Sequence, residues 1–267
     1  MVMIKKTVED ITFFQSEKLA SHSEIIHFFS TRNSGISKGA FHSLNFGTHH
    51  GEEDNMKANL SLLAKSLNID SSTFIIPKQT HSDHIGIVDE SNIFSVFEDT
   101  DALITNLPSV TIAIKTADCV PILLFDPEKK VIGAVHSGWK GTAQNIVGKT
   151  IEKMSATFNC KSPDILAVIG PCIGAKNYEV GNEVISRIKA VATDLTTIFD
   201  SENSQQGKAF FDLIQTNVQL LLQSGVYRTN IDTTNLCTYT LKSDFFSARR
   251  DGAITGRMIN GITLRKN

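Results

Sequence analysis

The sequence predicts an α+β fold, a layered single domain in which mixed β-sheets are flanked by helices. Short β-branched runs outnumber the segments with helical period, and between residues 103 and 136 several such runs follow one another with no helix between them. That order disfavours strict βα alternation and favours mixed or antiparallel sheets. No repeat or linker divides the 267 residues. We therefore expect one domain over 1–267, with residues 200–207 as a surface loop.

Periodicity predicts the elements of this fold in order. Apolar residues at steps of three and four predict helices over about 54–68, 142–158, 181–192 and 211–224, and the pattern at 181–192 is the weakest. Short apolar runs that are bounded by turn residues predict strands. These runs lie at 25–29, 74–76, 85–88, 102–105, 110–115, 121–125, 131–136, 165–169 and 245–248.

The charges of the chain nearly cancel, which excludes several classes of partner. The sequence has 26 Lys+Arg and 28 Asp+Glu residues, for a net charge of −2, and no basic run longer than Lys5–Lys6. We therefore expect neither nucleic acid nor a membrane surface as a partner. No apolar run approaches the ~18–20 residues of a membrane span, and the first residues lack the apolar region of an export signal. A cytoplasmic location is the expectation.

Three segments each place a metal-ligating side chain at the end of a predicted strand. The side chains are those of His81, Cys119 and His136. Their separations match no zinc-finger spacing, so we expect a site that is assembled from distant strands. Two neutral imidazoles and one thiolate bind Zn²⁺ and leave a fourth position open, as in catalytic zinc centres. The alternatives are hydrogen-bonded histidines with a cysteine that packs in the core, or a Cys119 nucleophile that is activated by a histidine.

Cationic side chains near glycine turns are candidates for binding an anion. Lys140 lies between Gly138 and Gly141, before a predicted helix whose first N–H groups would point at the same region. The alternative is a purely structural turn. Arg249 and Arg250 continue a predicted strand, where successive residues face opposite sides. We therefore expect one of these arginines to bind phosphate or a carboxylate and the other to pair with a surface carboxylate.

Two further polar residues are candidates for substrate contacts. Asn45 lies in a loop with no helical or strand period, where an amide can bind substrate but is favoured to form an Asx turn. Asp118 immediately precedes Cys119. It is a candidate proton acceptor, or a residue that orients the metal ligand or supports the loop.

Seven motifs together cover the chain from about residue 32 to residue 257. They are TRNSGISKGAFHSLNFGTHHG, KQTHS, TADCVPILLFD, AVHSGWKGT, IGPCIGAKNYEV, NLCTYT and SARRDGAITGR. In these motifs and their order the chain resembles the YfiH family, also called the multicopper polyphenol oxidoreductase or purine nucleoside phosphorylase family. The resemblance implies a YfiH-like fold and a zinc site on His81, Cys119 and His136.

The resemblance also implies a reaction. It is the phosphate-dependent cleavage of adenosine, inosine, guanosine and methylthioadenosine, with adenosine deamination at the same site. Purine nucleosides would then be the partners and phosphate the co-substrate, and the oligomeric state stays open between a monomer and a small homo-oligomer. Two positions depart from the family pattern: Lys140 stands where Arg is common, and Asn177 where Cys is common. Because lysine lacks the planar fork of arginine, phosphate orientation could differ at Lys140.

Two other functions are attached to the family, namely copper-dependent, laccase-like polyphenol oxidation and the editing of peptidoglycan precursors. Coupled copper clusters need many imidazoles. The sequence contains eight histidines, but none forms an H-x-H pair, and only His49 and His50 are adjacent. Copper is therefore the less favoured metal, and a zinc-dependent nucleoside enzyme is the function that we expect.

Overall fold

The computed structural model describes residues 3–48, 51–200, 202 and 206–266. The strands in chain order are β1 (Met3–Val8), β2 (Ile11–Ser16), β3 (Ile25–Ser30), β4 (Phe74–Ile75), β5 (Ile85–Ile87), β6 (Ala102–Thr105), β7 (Thr111–Thr116), β8 (Val120–Asp126), β9 (Val131–Ser137), β10 (Leu166–Ile169), β11 (Glu179–Gly181), β12 (Phe199–Asp200), β13 (Lys208–Phe211), β14 (Ile231–Asp232) and β15 (Met258–Leu264). The helices are α1 (Glu17–Ala20), α2 (Glu53–Leu67), α3 (Trp139–Ala143), α4 (Ile146–Phe158), α5 (Asn182–Lys189), α6 (Leu213–Gln223) and α7 (Ala248–Asp251).

Two six-stranded sheets form the centre of the fold. The first has the order β1-β2-β3-β15-β7-β4, in which only the edge strand β4 runs parallel to its neighbour. The second has the order β14-β10-β8-β9-β6-β5, antiparallel in its middle and parallel at both edges. A smaller antiparallel sheet has the order β11-β13-β12. These mixed sheets and their flanking helices confirm the predicted α+β class.

The alternation of side chains along the strands builds four layers. On β8, Leu123 packs between the two sheets, whereas Ile122 packs against the helices that cover the second sheet. Those helices are α4 and α6, whose buried faces carry residues such as Ile151 and Leu221. The outer face of the first sheet is covered by α2, through Leu63. Because a strand residue changes face with every step, the central strands are buried on both sides.

Several predicted boundaries differ from those in the structure. The predicted helix over 142–158 is two helices, α3 and α4, because Asn145 adopts a left-handed conformation with φ 56° and its side chain accepts a hydrogen bond from the N–H of Gly148 at the start of α4. The helix predicted to reach residue 192 ends at Lys189. None of the helices in the described residues is long and apolar enough to span a bilayer.

One predicted strand is wrong, and several strands were not predicted. Residues 245–248 lead into helix α7 instead of forming a strand, because the Ser247 hydroxyl accepts a hydrogen bond from the N–H of Arg250 and caps that helix. The unpredicted strands include β15, at the centre of the first sheet, and the β1–β2 hairpin at its edge. In β15 the dipeptide Asn260-Gly261 suggests a turn, yet the close approach of Phe28 requires a glycine there: a Cβ would lie 2.7 Å from its ring.

Candidate metal centre

The three predicted ligands come together at one end of the second sheet. His81 follows β4, Cys119 lies between β7 and β8, and His136 lies near the end of β9. The antiparallel register of β8 and β9 pairs Pro121 with His136, which places the residues just before β8 beside the end of β9. The ligand atoms of the three side chains all lie within 4.8 Å of one another, and Cys119 Sγ is 3.8 Å from His81 Nε2. The cluster has the size of a single metal site.

Asp101 connects two of the ligands. Its side chain is fully buried, and Oδ1 accepts a hydrogen bond of 2.6 Å from Nδ1 of His136. The same carboxylate accepts bonds from the backbone N–H groups of Thr80, His81 and Ser82, at 3.0, 3.1 and 2.8 Å. Because Nδ1 of His136 is occupied as a donor, Nε2 is the nitrogen that is left for a metal.

The carboxylate of Asp101 stays ionised in this setting. Burial would raise its pKa, but the hydrogen bond and charge of His136 and the backbone N–H bonds outweigh burial and lower the pKa to about 2. Sequence reasoning did not identify Asp101. The available signal was an acidic residue directly before a buried strand, β6, whose partner in the sheet is the strand that carries His136.

The electrostatic environment favours the ligand form of Cys119. Burial raises the pKa of its thiol, but the charge and hydrogen bond of His136, together with His81, lower that pKa below the usual value. Burial lowers the pKa of His136, and the Cys119 thiolate and Asp101 raise it overall. A thiolate is the form of cysteine that binds metals.

Two backbone features bring the ligands this close. Gly138 packs directly against the cluster, where a Cβ would lie 3.0 Å from Cys119 Sγ and 3.1 Å from Cδ2 of the His81 ring. His81 itself has a left-handed backbone with φ 64°. The loop before it is tied to β7, because the side-chain amide of Gln79 bonds to the backbone N–H and C=O of Lys115, at 2.7 and 2.9 Å.

Two of the predicted substrate-binding residues have their polar atoms engaged within the protein. The carboxylate of Asp118 accepts bonds from the hydroxyls of Thr238 and Ser247, at 2.6 and 2.9 Å, and from the N–H of Arg249 at 2.7 Å. The buried amide of Asn45 accepts bonds from the N–H groups of Gly47 and Arg257 and donates to the carbonyl of Gly47 and the carboxylate of Glu52. These bonds favour an anchoring role for both side chains over a contact with substrate.

The three cationic candidates have different surroundings. Arg250 donates to the carbonyls of Thr238, Tyr239 and Phe245 and pairs with Asp251. It is the arginine that pairs with a carboxylate, although the two arginines lie on α7 and not on the predicted strand. Arg249 donates to the carbonyl of Glu179 and covers the ring of Tyr178, whereas Lys140 is exposed and lies 5.8 Å from the centroid of the Trp139 ring. A role of Arg249 or Lys140 in anion binding stays a prediction.

Tyr178 and Arg257 lie near the centre but were not among the predicted site residues. Burial raises the pKa of the Tyr178 hydroxyl, the Cys119 charge adds to this rise, and Arg249 opposes it. Burial lowers the pKa of Arg257, and the charges of Cys119 and Asp118 oppose that fall. Both side chains therefore lie within the electrostatic field of a metal ligand. His49 and His50 lie outside the described residues.

Comparison with known proteins identifies the family. A family model described as multi-copper polyphenol oxidoreductase laccase matches residues 26–265. The chain belongs to this family. A protein of Bacteroides thetaiotaomicron named purine nucleoside phosphorylase is 34% identical, over 94% of this chain and 95% of the relative. A protein from an unknown prokaryotic organism, named adenosine deaminase RL5, is 33% identical, over 88% of this chain and 92% of the relative.

A solved structure agrees with these sequence relatives. The crystal structure of Bacillus licheniformis hypothetical protein YfiH has a TM-score of 0.89 and 32% sequence identity, over 95% of this chain and 96% of that chain. The resemblance to the YfiH family and the layered fold are thereby confirmed. The enzyme names of the relatives likewise confirm the expectation of an enzyme.

Proposed function

We propose that this protein is a zinc-dependent purine nucleoside enzyme. It cleaves adenosine, inosine, guanosine and methylthioadenosine with phosphate, and it deaminates adenosine at the same site. The observation that carries the proposal is the convergence of His81, Cys119 and His136 within 4.8 Å. The names of two relatives, a purine nucleoside phosphorylase and an adenosine deaminase, support the two reactions.

The donor set fits zinc. Two imidazole nitrogens and one thiolate are ligands that Zn²⁺ prefers, and three protein ligands leave the open position of a catalytic site. When bound, zinc supplies a Lewis acid for polarising a substrate oxygen or lowering the pKa of water. Asp101 keeps the proton on Nδ1 of His136 and holds the His81 loop in place through three backbone N–H groups. Because the thiol must stay reduced to bind a metal, we also propose a cytoplasmic location.

A panel of nucleosides on the zinc-loaded protein tests this function. With phosphate, we expect release of the free base from adenosine, inosine, guanosine and methylthioadenosine; without phosphate, we expect inosine to form from adenosine. Cys119→Ala should lose zinc and both activities, whereas Cys160→Ala, which removes a buried thiol outside the cluster, should keep them. The proposal is lost if folded, zinc-loaded protein leaves adenosine, inosine and methylthioadenosine unchanged in chromatography.

Copper-dependent polyphenol oxidation is the second candidate, and the description of the family model favours it. Coupled copper centres need more imidazoles than the two in this cluster. In the described part of the chain, His81, Cys119 and His136 are the one group of three or more side chains placed to hold a metal. Elemental analysis of protein that has been offered both metals decides between them: we expect zinc, and stoichiometric copper with oxidation of a phenol would favour the alternative.

A further inference from the structure

We propose that Lys115 and Arg257 together bind the phosphate co-substrate beside the metal centre. The inference rests on the phosphorolysis proposed above and names the residues that would hold its anion. Neither residue was a predicted anion ligand, because they are far apart in sequence and only the pairing of β7 with β15 brings them together.

Sheet register places the two side chains on one face. Lys115 pairs with Ile259 across the antiparallel strands β7 and β15, and Arg257 precedes Ile259 by two residues. Residues in this diagonal relation share a face, and long side chains there are within reach of each other. The loop at Gly47 lies on the same face, because a Cβ on Gly47 would be 3.4 Å from Cγ of Arg257 and the neighbouring Phe46 packs in the same cluster as Ile259.

This face adjoins the metal ligands along the chain. Lys115 is the penultimate residue of β7, which leads directly into Asp118 and Cys119. The side chain of Gln79, two residues before His81, bonds to the backbone of Lys115. The charge of Cys119 also acts on the guanidinium of Arg257.

The two cations have no direct ion-pair partner in the part of the chain that the structure describes. Both are partly buried, and neither forms an ion pair with any described residue. The Lys115 ammonium also has no hydrogen-bond acceptor among the residues that the structure describes. Burial lowers the pKa of Lys115, and the nearby charge of Arg257 lowers it further. Two neighbouring cations in a partly buried setting are unfavourable alone, and an oxyanion that bridges them would remove that repulsion.

The guanidinium of Arg257 is held in a fixed orientation that suits such a ligand. Its Nη1 donates to the carbonyls of Thr255 and Gly256, at 2.8 and 3.0 Å. These bonds fix the plane of the group, and Nε and Nη2 have no partner among the described residues. A planar fork beside a lysine is suited to a phosphate, since both form charge-assisted hydrogen bonds to its oxygens. A purine nucleoside is neutral and cannot supply this negative charge.

Steady-state kinetics on the full-length, zinc-loaded chain tests the assignment. We expect Lys115→Met and Arg257→Gln each to raise the KM for inorganic phosphate by about 10- to 100-fold, which is the effect expected when one charge-assisted hydrogen bond is lost. Zinc content and the cooperative thermal unfolding of the phosphate-free protein should stay near wild type in both variants, which shows that they are folded. Lys153→Met removes an exposed lysine on α4 and serves as the matched control.

A binding measurement separates this inference from the proposed function. Inorganic phosphate should raise the melting temperature of the wild type and of Lys153→Met, and much less that of Lys115→Met. This readout needs no turnover, so it still tests the site if the wild type cleaves no nucleoside and the proposed function fails. The assignment is overturned if phosphate does not stabilise the wild type, or if both site variants keep the wild-type phosphate KM and melting shift.

Discussion

At the scale of single residues, Asp101 is the side chain on which the geometry of the centre depends most. It accepts hydrogen bonds from Nδ1 of His136 and from the N–H of His81, so one carboxylate orients two of the three ligands. A carboxylate in this position fixes the tautomer of a metal-binding histidine and raises its basicity. Loss of the Asp101 carboxylate should therefore weaken metal binding more than it destabilises the fold.

Asp101→Asn is the direct test of that role. We expect zinc affinity to fall by about 10- to 100-fold, the usual effect of removing such a partner, as measured by competition with a chromophoric chelator. Asp89→Asn, a change at an exposed turn residue, should leave the affinity unchanged. Wild-type zinc affinity in Asp101→Asn would show that His136 and His81 are held in place by other contacts.

His27 gives the fold a dependence on pH that is separate from the metal centre. The imidazole is 1% exposed, and its Nε2 accepts a hydrogen bond from the N–H of Ser16. Burial, and then the charge of Lys6, lowers the pKa of His27 to about 3. Between that value and the ordinary pKa of 6.5 the unfolded chain binds a proton that the folded chain does not. The stability that the fold gains by keeping His27 neutral is therefore fully present above about pH 6.5, and it is lost as the pH falls toward the pKa of the folded state.

Urea unfolding at two pH values measures this effect. Between pH 7 and pH 5, we expect the free energy of unfolding to decrease by about 2 kcal/mol more in the wild type than in His27→Gln, which cannot take up the proton. The comparison uses the change with pH, so a constant cost of the substitution cancels. Equal decreases in the two proteins would mean that the imidazole titrates in the fold as it does in the unfolded chain, and a smaller decrease in the wild type would mean that it is already charged in the fold.

At the scale of elements, the short helix α7 connects the C-terminal segment to the loop that carries Cys119. The hydroxyl of Ser247 donates to Asp118 and accepts from the N–H of Arg250 at the start of the helix. Arg250 then ties α7 to the backbone carbonyls of Thr238 and Tyr239. The helix therefore holds Asp118, and with it the neighbouring Cys119, in position.

Ser247→Ala removes both hydroxyl bonds. We expect a loss of about 1–3 kcal/mol in the free energy of unfolding, because a helix cap and a buried hydrogen bond to a carboxylate are lost together. Chemical denaturation measures this decrease in the free energy of unfolding. Ser243→Ala, at an exposed position nearby, should change stability by less than about 0.5 kcal/mol, and the same small change in Ser247→Ala would contradict the anchoring role of α7.

The elements differ in how far sequence alone could predict them. Strands such as β8 and β9 were predicted because their apolar runs are continuous and end at clear turns. Strand β15 was missed because its Asn260-Gly261 pair resembles a turn, and its extended form depends on pairing with β3 on one side and β7 on the other. Residues 245–248 show the converse: Phe245 and Phe246 are buried like strand residues, but the cap at Ser247 starts a helix.

At the scale of the whole molecule, the near-zero net charge conceals local fields. The chain carries a net −2, yet Lys115 and Arg257 form no ion pair with any described residue, and the charge of Cys119 acts on the guanidinium of Arg257. The cluster of His81, Cys119 and His136 could be predicted from sequence because each of these residues follows a predicted strand within a distinctive motif. Asp101, Lys115 and Arg257 could not be identified in that way, because their roles arise from contacts between strands that are distant in sequence.

The central claim is that His81, Cys119 and His136 bind one zinc ion, and zinc K-edge X-ray absorption of the purified protein tests it most directly. We expect one sulfur ligand at about 2.3 Å and two nitrogen ligands at about 2.0–2.1 Å, with the remaining scatterer a light atom. The sulfur ligand should be absent from any zinc that Cys119→Ala retains. A wild-type spectrum without sulfur, or one with the four sulfur ligands of a structural site, would contradict the account.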